Sequence, residues 1–156
     1  PTRLDSSAAS DVYKRQDFKH TGKWAEDRRI GYTTYTDLAA KPEVYDLIER
    51  EVVRVNRGLP EGARIQKFLL LYKELDPDDE ELTRTKKVRR KFINEKYSKE
   101  ISGLYSDQQS LDIESIIRYQ DGKTATLNTT LQVRTVKPPE EYAAEERVSF
   151  WRRVFG

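Results

Sequence analysis

The sequence predicts an α+β domain, and three patterns along its 156 residues support this fold class. Apolar residues at helical spacing between Val44 and Leu59 predict a long amphipathic helix. Two segments of alternating polarity, separated by Asp121-Gly122, predict a β-hairpin, because Asp-Gly favours a type I′ turn. Helices and strands otherwise alternate irregularly, which is typical of α+β rather than of a regular parallel α/β fold.

The first half of the chain is dominated by this long helix. A shorter helix is predicted before it, from Lys19 to Arg29 around Trp24, followed by an extended IGYTTYT segment rich in strand-favouring residues. The long helix begins at Pro42, a residue suited to a first helical position. Gly58 and Pro60 then end it. Its predicted apolar stripe consists of Val44, Ile48, Val52, Val55 and Leu59.

The middle of the chain alternates between apolar and strongly charged segments. The run from Phe68 to Tyr72 is short enough to be a buried strand, and the acidic DPDDEE at residues 76–81 is expected to be a loop. The basic run from Arg84 to Lys91 is expected to open a second long helix that reaches Tyr105. Its predicted buried stripe consists of Val88, Phe92, Tyr97, Ile101 and Leu104.

The hairpin is predicted at residues 111–135, and the ends of the chain differ from the rest. The apolar faces of the two strands are Leu111, Ile113, Ile117 and Tyr119, and Ala125, Leu127, Leu131 and Val133. The tail at residues 137–156 has the composition of an amphipathic helix. Residues 1–16 show neither an apolar period nor a signal-peptide layout, and we expect a non-native or disordered segment there.

Composition excludes several kinds of site. The absence of Cys excludes disulfides, thiolate metal sites and Cys nucleophiles, and His20 is the only His, so a multi-His metal site is impossible. With 29 basic and 27 acidic residues, any basic site must be local. No apolar run approaches the roughly 20 residues that span a bilayer. We therefore expect a cytoplasmic protein, with peripheral membrane contact left open.

Six of the eight residues from Arg84 to Lys91 are basic, and this run has three interpretations. Periodicity favours a solvated helix face, partly neutralised by ion pairs with the preceding acidic loop. Nucleic-acid binding would require exposed aromatic residues among the cations, whereas Phe92 and Tyr97 lie on the predicted apolar stripe. Membrane binding would require a large apolar face opposite the cations, which only the C-terminal SFWRRVFG suggests. Charge alone leaves the six residues equivalent.

The segment ELTRTKKVRRKFINEKY resembles the C-terminal signature of AMP-forming acyl-CoA synthetases, in particular the long-chain fatty acid group. That signature reads approximately L-T-P-T-x-K-[VIL]-[KR]-R, followed by an apolar helix that ends in a Tyr. Arg84 replaces the usual Pro. The resemblance extends from about Asp17 to Tyr105, is weaker across the hairpin and is absent after Val136. The matching residues are Leu82, Thr83, Thr85, Lys87, Val88, Arg89 and Arg90.

The resemblance implies the small C-terminal domain of adenylate-forming enzymes, a few-stranded sheet with flanking helices and a C-terminal hairpin. It divides the chain into the segment 1–16, a partial domain at residues 17–136 and the tail 137–156. It further implies a ligase that activates a fatty acid with ATP to acyl-AMP and then forms acyl-CoA, using ATP, CoA and Mg²⁺. The chain would be a fragment whose partner is its own N-terminal large domain, and alone it would be inactive and bind none of these cofactors.

The resemblance also distinguishes one of the six basic residues from the others. By alignment with the signature, the lysine that enters the active site during adenylation is Lys87, not Lys86. A fixed ammonium between the attacking carboxylate and the α-phosphate would stabilise the developing charge. Thr83 and Thr85 would shape the loop, and Arg89 and Arg90 would hold the following helix or meet the large domain. No cofactor-binding residue and no metal ligand is assigned.

Two alternatives belong to other classes of protein. One is a non-enzymatic nucleic-acid-binding module that uses Arg84 to Lys91, whose binding would depend steeply on salt. The other is a free-standing helper domain that docks on a separate adenylating partner. The acyl chain length is not determined, because the acyl pocket would lie in the large domain.

Overall fold

The computed structural model of the protein describes residues 18–118 and 124–143. Helices and antiparallel strands share this part of the chain, which confirms the α+β class. The helices are α1 (Phe18–Asp27), α2 (Tyr35–Ala40), α3 (Pro42–Asn56), α4 (Arg90–Lys96) and α5 (Ser98–Leu104), with a 3₁₀ turn at Glu61–Ala63. The strands are β1 (Lys67–Phe68), β2 (Ser110–Arg118), β3 (Thr124–Gln132) and β4 (Arg134–Thr135). Residues 139–143 are helical at the start of the predicted tail helix.

The strands form two antiparallel pairs that are linked through the end of β3. In the predicted hairpin, β2 pairs with β3 so that Leu111 lies opposite Leu131, while the Asp121-Gly122 turn lies outside the described residues. The chain then passes directly from β3 to β4, which pairs with β1 and places Phe68 opposite Arg134. The hairpin is thereby joined to the buried segment that follows β1.

Two hydrophobic cores flank the segment from Phe68 to Tyr72. This segment is buried as predicted, but only its first residue belongs to a strand. Because successive side chains of an extended chain point in opposite directions, Phe68 and Leu70 enter one core while Leu69 and Leu71 enter the other. The first core also includes Leu38, Val44, Tyr45, Val52 and Val53. The second also includes Ile93, Tyr97, Leu111, Ile113, Leu131 and Val133.

The buried face of α3 differs from the predicted stripe at its C-terminal end. Val55 is 48% exposed, and the helix ends at Asn56, before Leu59. Asn56 is buried instead, and its side-chain amide exchanges two hydrogen bonds of 2.9 Å with the backbone N–H and carbonyl of Ile65. These bonds fix the chain reversal after the helix and turn the Asn56 side of α3 inward.

The IGYTTYT segment is not a strand. Thr34 caps α2, and its hydroxyl accepts a hydrogen bond of 3.1 Å from the Asp37 N–H. The Asp37 carboxylate in turn accepts a bond of 2.9 Å from the Thr33 N–H. These two bonds satisfy backbone N–H groups at the start of α2 in the manner of a capping box, although the carboxylate accepts from the residue before the cap. Helix initiation therefore outweighs the strand propensity of the segment.

The prediction of one long helix from the basic run is wrong. Helix α4 begins only at Arg90 and ends before Tyr97, where φ −102° and ψ 28° separate it from α5. Ile93 is the buried residue of α4 and Tyr97, directly after the helix, is also buried, whereas Phe92 is only half-buried. The residues before Arg90 do not join the helix because Leu82 pairs with Val88 in an antiparallel bridge. None of the helices described here is long and apolar enough to cross a membrane.

Candidate active-site lysine

Residues Glu81 to Arg89 form a tight hairpin, which we call the Lys87 hairpin. The Thr83 N–H donates to the Lys87 carbonyl at 2.8 Å, and the Lys86 N–H donates to the Thr83 carbonyl at 2.8 Å. Lys86 has φ 58°, the left-handed conformation that typically closes a three-residue hairpin loop. Arg84 is the first residue of this loop, the turn position at which Pro is favoured. Arg in place of the signature Pro therefore preserves the turn.

The two threonines of the signature shape this loop through their hydroxyls. The Thr83 hydroxyl accepts a hydrogen bond of 3.0 Å from the Lys87 N–H, and it lies 3.0 Å from the hydroxyl of Thr85. Lys87 is therefore tied to Thr83 both through its carbonyl and through its N–H. This double tie fixes the backbone from which the Lys87 side chain projects.

The Lys87 side chain points away from the core. Its neighbour Val88 packs against the second core, and adjacent residues of an extended chain face opposite sides. Lys87 is exposed, and among the described residues no carboxylate lies within ion-pairing distance of its ammonium. The ammonium is thus free to meet an anionic group presented from outside this part of the chain.

The acidic loop neutralises the basic run less than expected. Within the described ranges only Arg89 of the run forms an ion pair, at 3.1 Å from a Glu80 carboxylate oxygen. The carboxylates of Asp79 and Glu81 pair instead with Lys73 and Lys96, which lie outside the run. The basic residues without an ion pair in this part of the structure are Arg84, Lys86, Lys87, Arg90 and Lys91.

Glu81 lies at the base of the Lys87 hairpin and is fully buried. One carboxylate oxygen accepts from the Tyr97 hydroxyl at 2.6 Å and lies 2.7 Å from the Lys96 ammonium. The other lies 3.0 Å from the Lys73 ammonium and accepts from the Asp76 N–H at 2.9 Å. Both oxygens therefore have two partners, which satisfies a buried carboxylate.

The electrostatics of this cluster keep Glu81 ionised. Burial raises the pKa of the Glu81 carboxyl, but the bonds from Lys96, Tyr97, the Asp76 backbone and Lys73 outweigh burial and lower the pKa overall. Burial and the adjacent Glu81 charge raise the pKa of Tyr97, so its hydroxyl remains a donor. Sequence reasoning missed Glu81, which shares its local pattern with the exposed Asp78 and Glu80.

The aromatic residues near the basic run are not arranged for stacking on nucleic-acid bases. The half-buried Phe92 ring has the Arg89 guanidinium 5.4 Å from its centre and the Lys96 ammonium at 5.9 Å. Tyr97 is buried and bonded to Glu81. The Phe92 ring is already contacted by two cations and the Tyr97 ring is buried, so the nucleic-acid alternative is not favoured.

The remaining candidates lie on α1, next to the first core rather than the second. His20 is exposed, and Trp24 is half-buried against the first core with the Arg28 guanidinium 4.6 Å from its ring centre. Within residues 18–118 and 124–143 no group of acidic or His side chains is arranged to hold a metal ion.

Comparison with known proteins identifies relatives of one kind. Residues 30–109, about half of the chain, match the family described as AMP-binding enzyme C-terminal domain. Over 72 residues the chain is 33% identical to long-chain-fatty-acid–CoA ligase FadD15 of Mycobacterium tuberculosis, covering 46% of this chain and 12% of that protein. Over 70 residues it is 34% identical to long-chain-fatty-acid–CoA ligase heimdall of Drosophila melanogaster, covering 44% and 10%. The chain thus spans about a tenth of the length of these relatives, and no solved structure gives a significant match.

Proposed function

The chain belongs to the family of AMP-binding enzyme C-terminal domains, and on this premise we propose that it is the C-terminal part of an AMP-forming long-chain fatty acid–CoA ligase. The names of the relatives support the substrate class. The whole enzyme would use fatty acid, ATP with Mg²⁺, and CoA. Its N-terminal large domain would be the partner of this chain and would supply the binding pockets.

The proposed reaction has two steps. In the first, the fatty acid carboxylate attacks the α-phosphorus of ATP, and the bond to the departing pyrophosphate breaks. In the second, the CoA thiolate attacks the acyl carbon of acyl-AMP, and AMP leaves with the electron pair of the broken C–O bond. The first step brings two anions together, which is where a positioned cation lowers the barrier.

We assign the role of this cation to Lys87. The observation that carries the assignment is that the Lys87 ammonium is exposed and without an ion pair in the described part of the chain, while the Lys87 backbone is anchored on Thr83. Lys86 lies within the loop itself, at φ 58°. Lys91 lies on α4, beyond the hairpin. Lys87 alone of the three occupies the signature position at the end of the loop.

The test is a chimeric ligase in which residues 30–109 replace the matching segment of FadD15. We expect Lys87→Ala to reduce acyl-AMP formation, measured as ATP–pyrophosphate exchange, by about 10²- to 10³-fold, the usual effect of removing one transition-state donor. Thioester formation from supplied acyl-AMP and CoA should be retained. Lys86→Ala and Lys91→Ala are the matched controls and should keep both activities.

Two results would contradict the assignment. One is an equal loss of both half-reactions in Lys87→Ala, which would indicate general damage rather than a role in adenylation. The other is a loss in Lys86→Ala as large as that in Lys87→Ala, which would indicate that net positive charge rather than one placed ammonium matters.

A further inference from the structure

We propose that Glu81 is a positioning residue for Lys87. Its buried carboxylate fixes the base of the Lys87 hairpin against the end of α4 and thereby sets the direction in which the Lys87 ammonium projects. The catalytic consequence rests on the function proposed above. The mechanical part concerns this chain alone and can be tested without any enzymatic activity.

Glu81 is bound through its backbone and its side chain at once. Its N–H donates to the Asp76 carbonyl at 3.1 Å, and its carbonyl accepts from the Arg89 N–H at 2.9 Å across the hairpin. Its side chain accepts from Asp76, Tyr97 and the two lysines described above. Glu81 thus connects the hairpin to three parts of the chain: the acidic loop, the second strand of the hairpin itself and the end of α4.

The bonds from Lys96 and Tyr97 to Glu81 connect the end of α4 to the base of the Lys87 hairpin. The chain leaves Glu81, turns at the Lys87 hairpin, enters α4 at Arg90 and returns to the Glu81 carboxylate at the end of that helix. A hinge motion of the hairpin about its base would have to break charge-assisted bonds to a fully buried carboxylate. The hairpin therefore moves with α4 rather than independently of it.

The charges around Glu81 are balanced, and this balance also helps to keep the Lys87 side chain directed outward. Glu81 and Asp79 face Lys73 and Lys96, so two carboxylates are matched by two ammonium groups. Both acidic side chains are thereby occupied and do not draw the Lys87 ammonium down onto the acidic loop. Replacing Glu81 by a neutral residue would leave two cations facing one carboxylate.

The first test is amide hydrogen exchange on this chain. Glu81→Gln keeps the shape of the side chain but removes its charge, and we expect the amides of Thr83, Lys86 and Arg89 to exchange at least about tenfold faster. Amides of β2 and β3 should keep their rates. Glu80→Gln is the matched control, because the Glu80 carboxylate pairs only with the exposed Arg89 in the described residues.

Tyr97→Phe provides a second variant should Glu81→Gln fail to fold. It removes a single donor to Glu81 and keeps both lysines, so the same amides should exchange faster, by a smaller factor. The inference is overturned if the hairpin amides keep their rates in these variants. It is equally overturned if all amides of β2 and β3 accelerate as much as those of the hairpin.

The second test uses the chimeric ligase. Glu81→Gln should lower kcat for adenylation by about 10- to 100-fold through misplacement of the lysine, with KM for ATP and fatty acid and the thioester step little changed. In a Lys87→Ala background the same change should cause no further loss, because Glu81 acts through Lys87. A further loss in the double variant would contradict the inference.

The outcomes separate this inference from the proposed function. If Lys87→Ala retains adenylation, the proposed function fails, and the hydrogen-exchange result still decides the mechanical part. If Lys87→Ala is inactive but Glu81→Gln is as active as the natural sequence, only the positioning role fails.

Discussion

The backbone N–H of Lys87 donates to the hydroxyl of Thr83 at 3.0 Å, while the Thr83 N–H donates to the Lys87 carbonyl at 2.8 Å. In this three-residue loop the Thr83 carbonyl already accepts from the Lys86 N–H. The Thr83 side chain supplies the acceptor that the Lys87 N–H would otherwise lack. A hydroxyl at position 83 is therefore part of the support of Lys87.

This relationship predicts the effect of replacing Thr83. Thr83→Val preserves the shape of the side chain without its acceptor, and we expect a loss of about 1 kcal/mol in the free energy of unfolding. Thr83→Ser keeps the hydroxyl and should stay within about 0.5 kcal/mol of the natural sequence. Urea unfolding measures both variants. A Val variant as stable as the Ser variant would show that the hydroxyl is dispensable.

Restoring the signature proline should stabilise the chain. Arg84 is the first loop residue, its backbone N–H donates no hydrogen bond within the described residues, and Pro is favoured there. Arg84→Pro should add about 0.4–1 kcal/mol by restricting the unfolded state. Lys86→Pro is the opposed control, since Lys86 has φ 58° and donates to Thr83, so it should destabilise. Thermal unfolding measures both, and equal shifts would contradict the loop geometry.

The contact of α5 with β2 requires a glycine. A Cβ added at Gly103 would overlap a terminal methyl carbon of the buried Leu111. Gly103→Ala should therefore cost about 1–3 kcal/mol through overpacking, despite the better helix propensity of Ala. Gly62→Ala, where the added Cβ meets no atom within 4 Å, should be nearly neutral.

A double-mutant cycle tests the same contact. Leu111→Val shortens the opposing side chain, so it should recover part of the loss in the Gly103→Ala background. Denaturant unfolding of the four proteins gives the coupling energy. If the effects of the two substitutions on the free energy of unfolding are strictly additive, the loss in Gly103→Ala does not arise from contact with Leu111.

Two buried glutamates should contribute to the pH dependence of stability with opposite signs. The folded-state pKa of Glu81 is lowered, so its contribution is present above about pH 4.3, its unfolded value, and is lost as the pH falls through the lower folded value. Burial raises the pKa of Glu100, with its own backbone N–H and Lys99 acting against burial. Its contribution is therefore greatest at low pH and declines as the pH rises above about 4.3.

Urea unfolding between pH 3 and pH 7 measures these contributions through two variants. Glu81→Gln should be destabilising at pH 7, and its deficit should shrink towards pH 3. Glu100→Gln should be more stable than the natural sequence at pH 7, and this advantage should disappear at low pH. The same pH trend in both variants would contradict the assigned directions.

Local patterns in the sequence predicted part of this structure well. The period of apolar residues identified α3 from Pro42, and the alternating segments identified the hairpin with Leu111, Ile113, Leu131 and Val133 buried. The resemblance to the ligase signature identified the family and singled out Lys87. These features depend on residues close together in the chain, so local sequence patterns are sufficient to predict them.

The sequence by itself therefore determined the fold class, the family and the candidate lysine, but not how that lysine is held. Residues 84–89 of the basic run lie in a hairpin rather than a helix, through the Leu82–Val88 bridge and the anchoring of Glu81 by Lys73, Lys96 and Tyr97, partners separated from Glu81 by 8 to 16 residues. By local pattern Glu81 is one more acidic loop residue. Only the tertiary structure shows that Glu81 is buried and that its carboxylate has hydrogen-bond and ion-pair partners. Burial and pairing depend on which distant side chains the fold brings together.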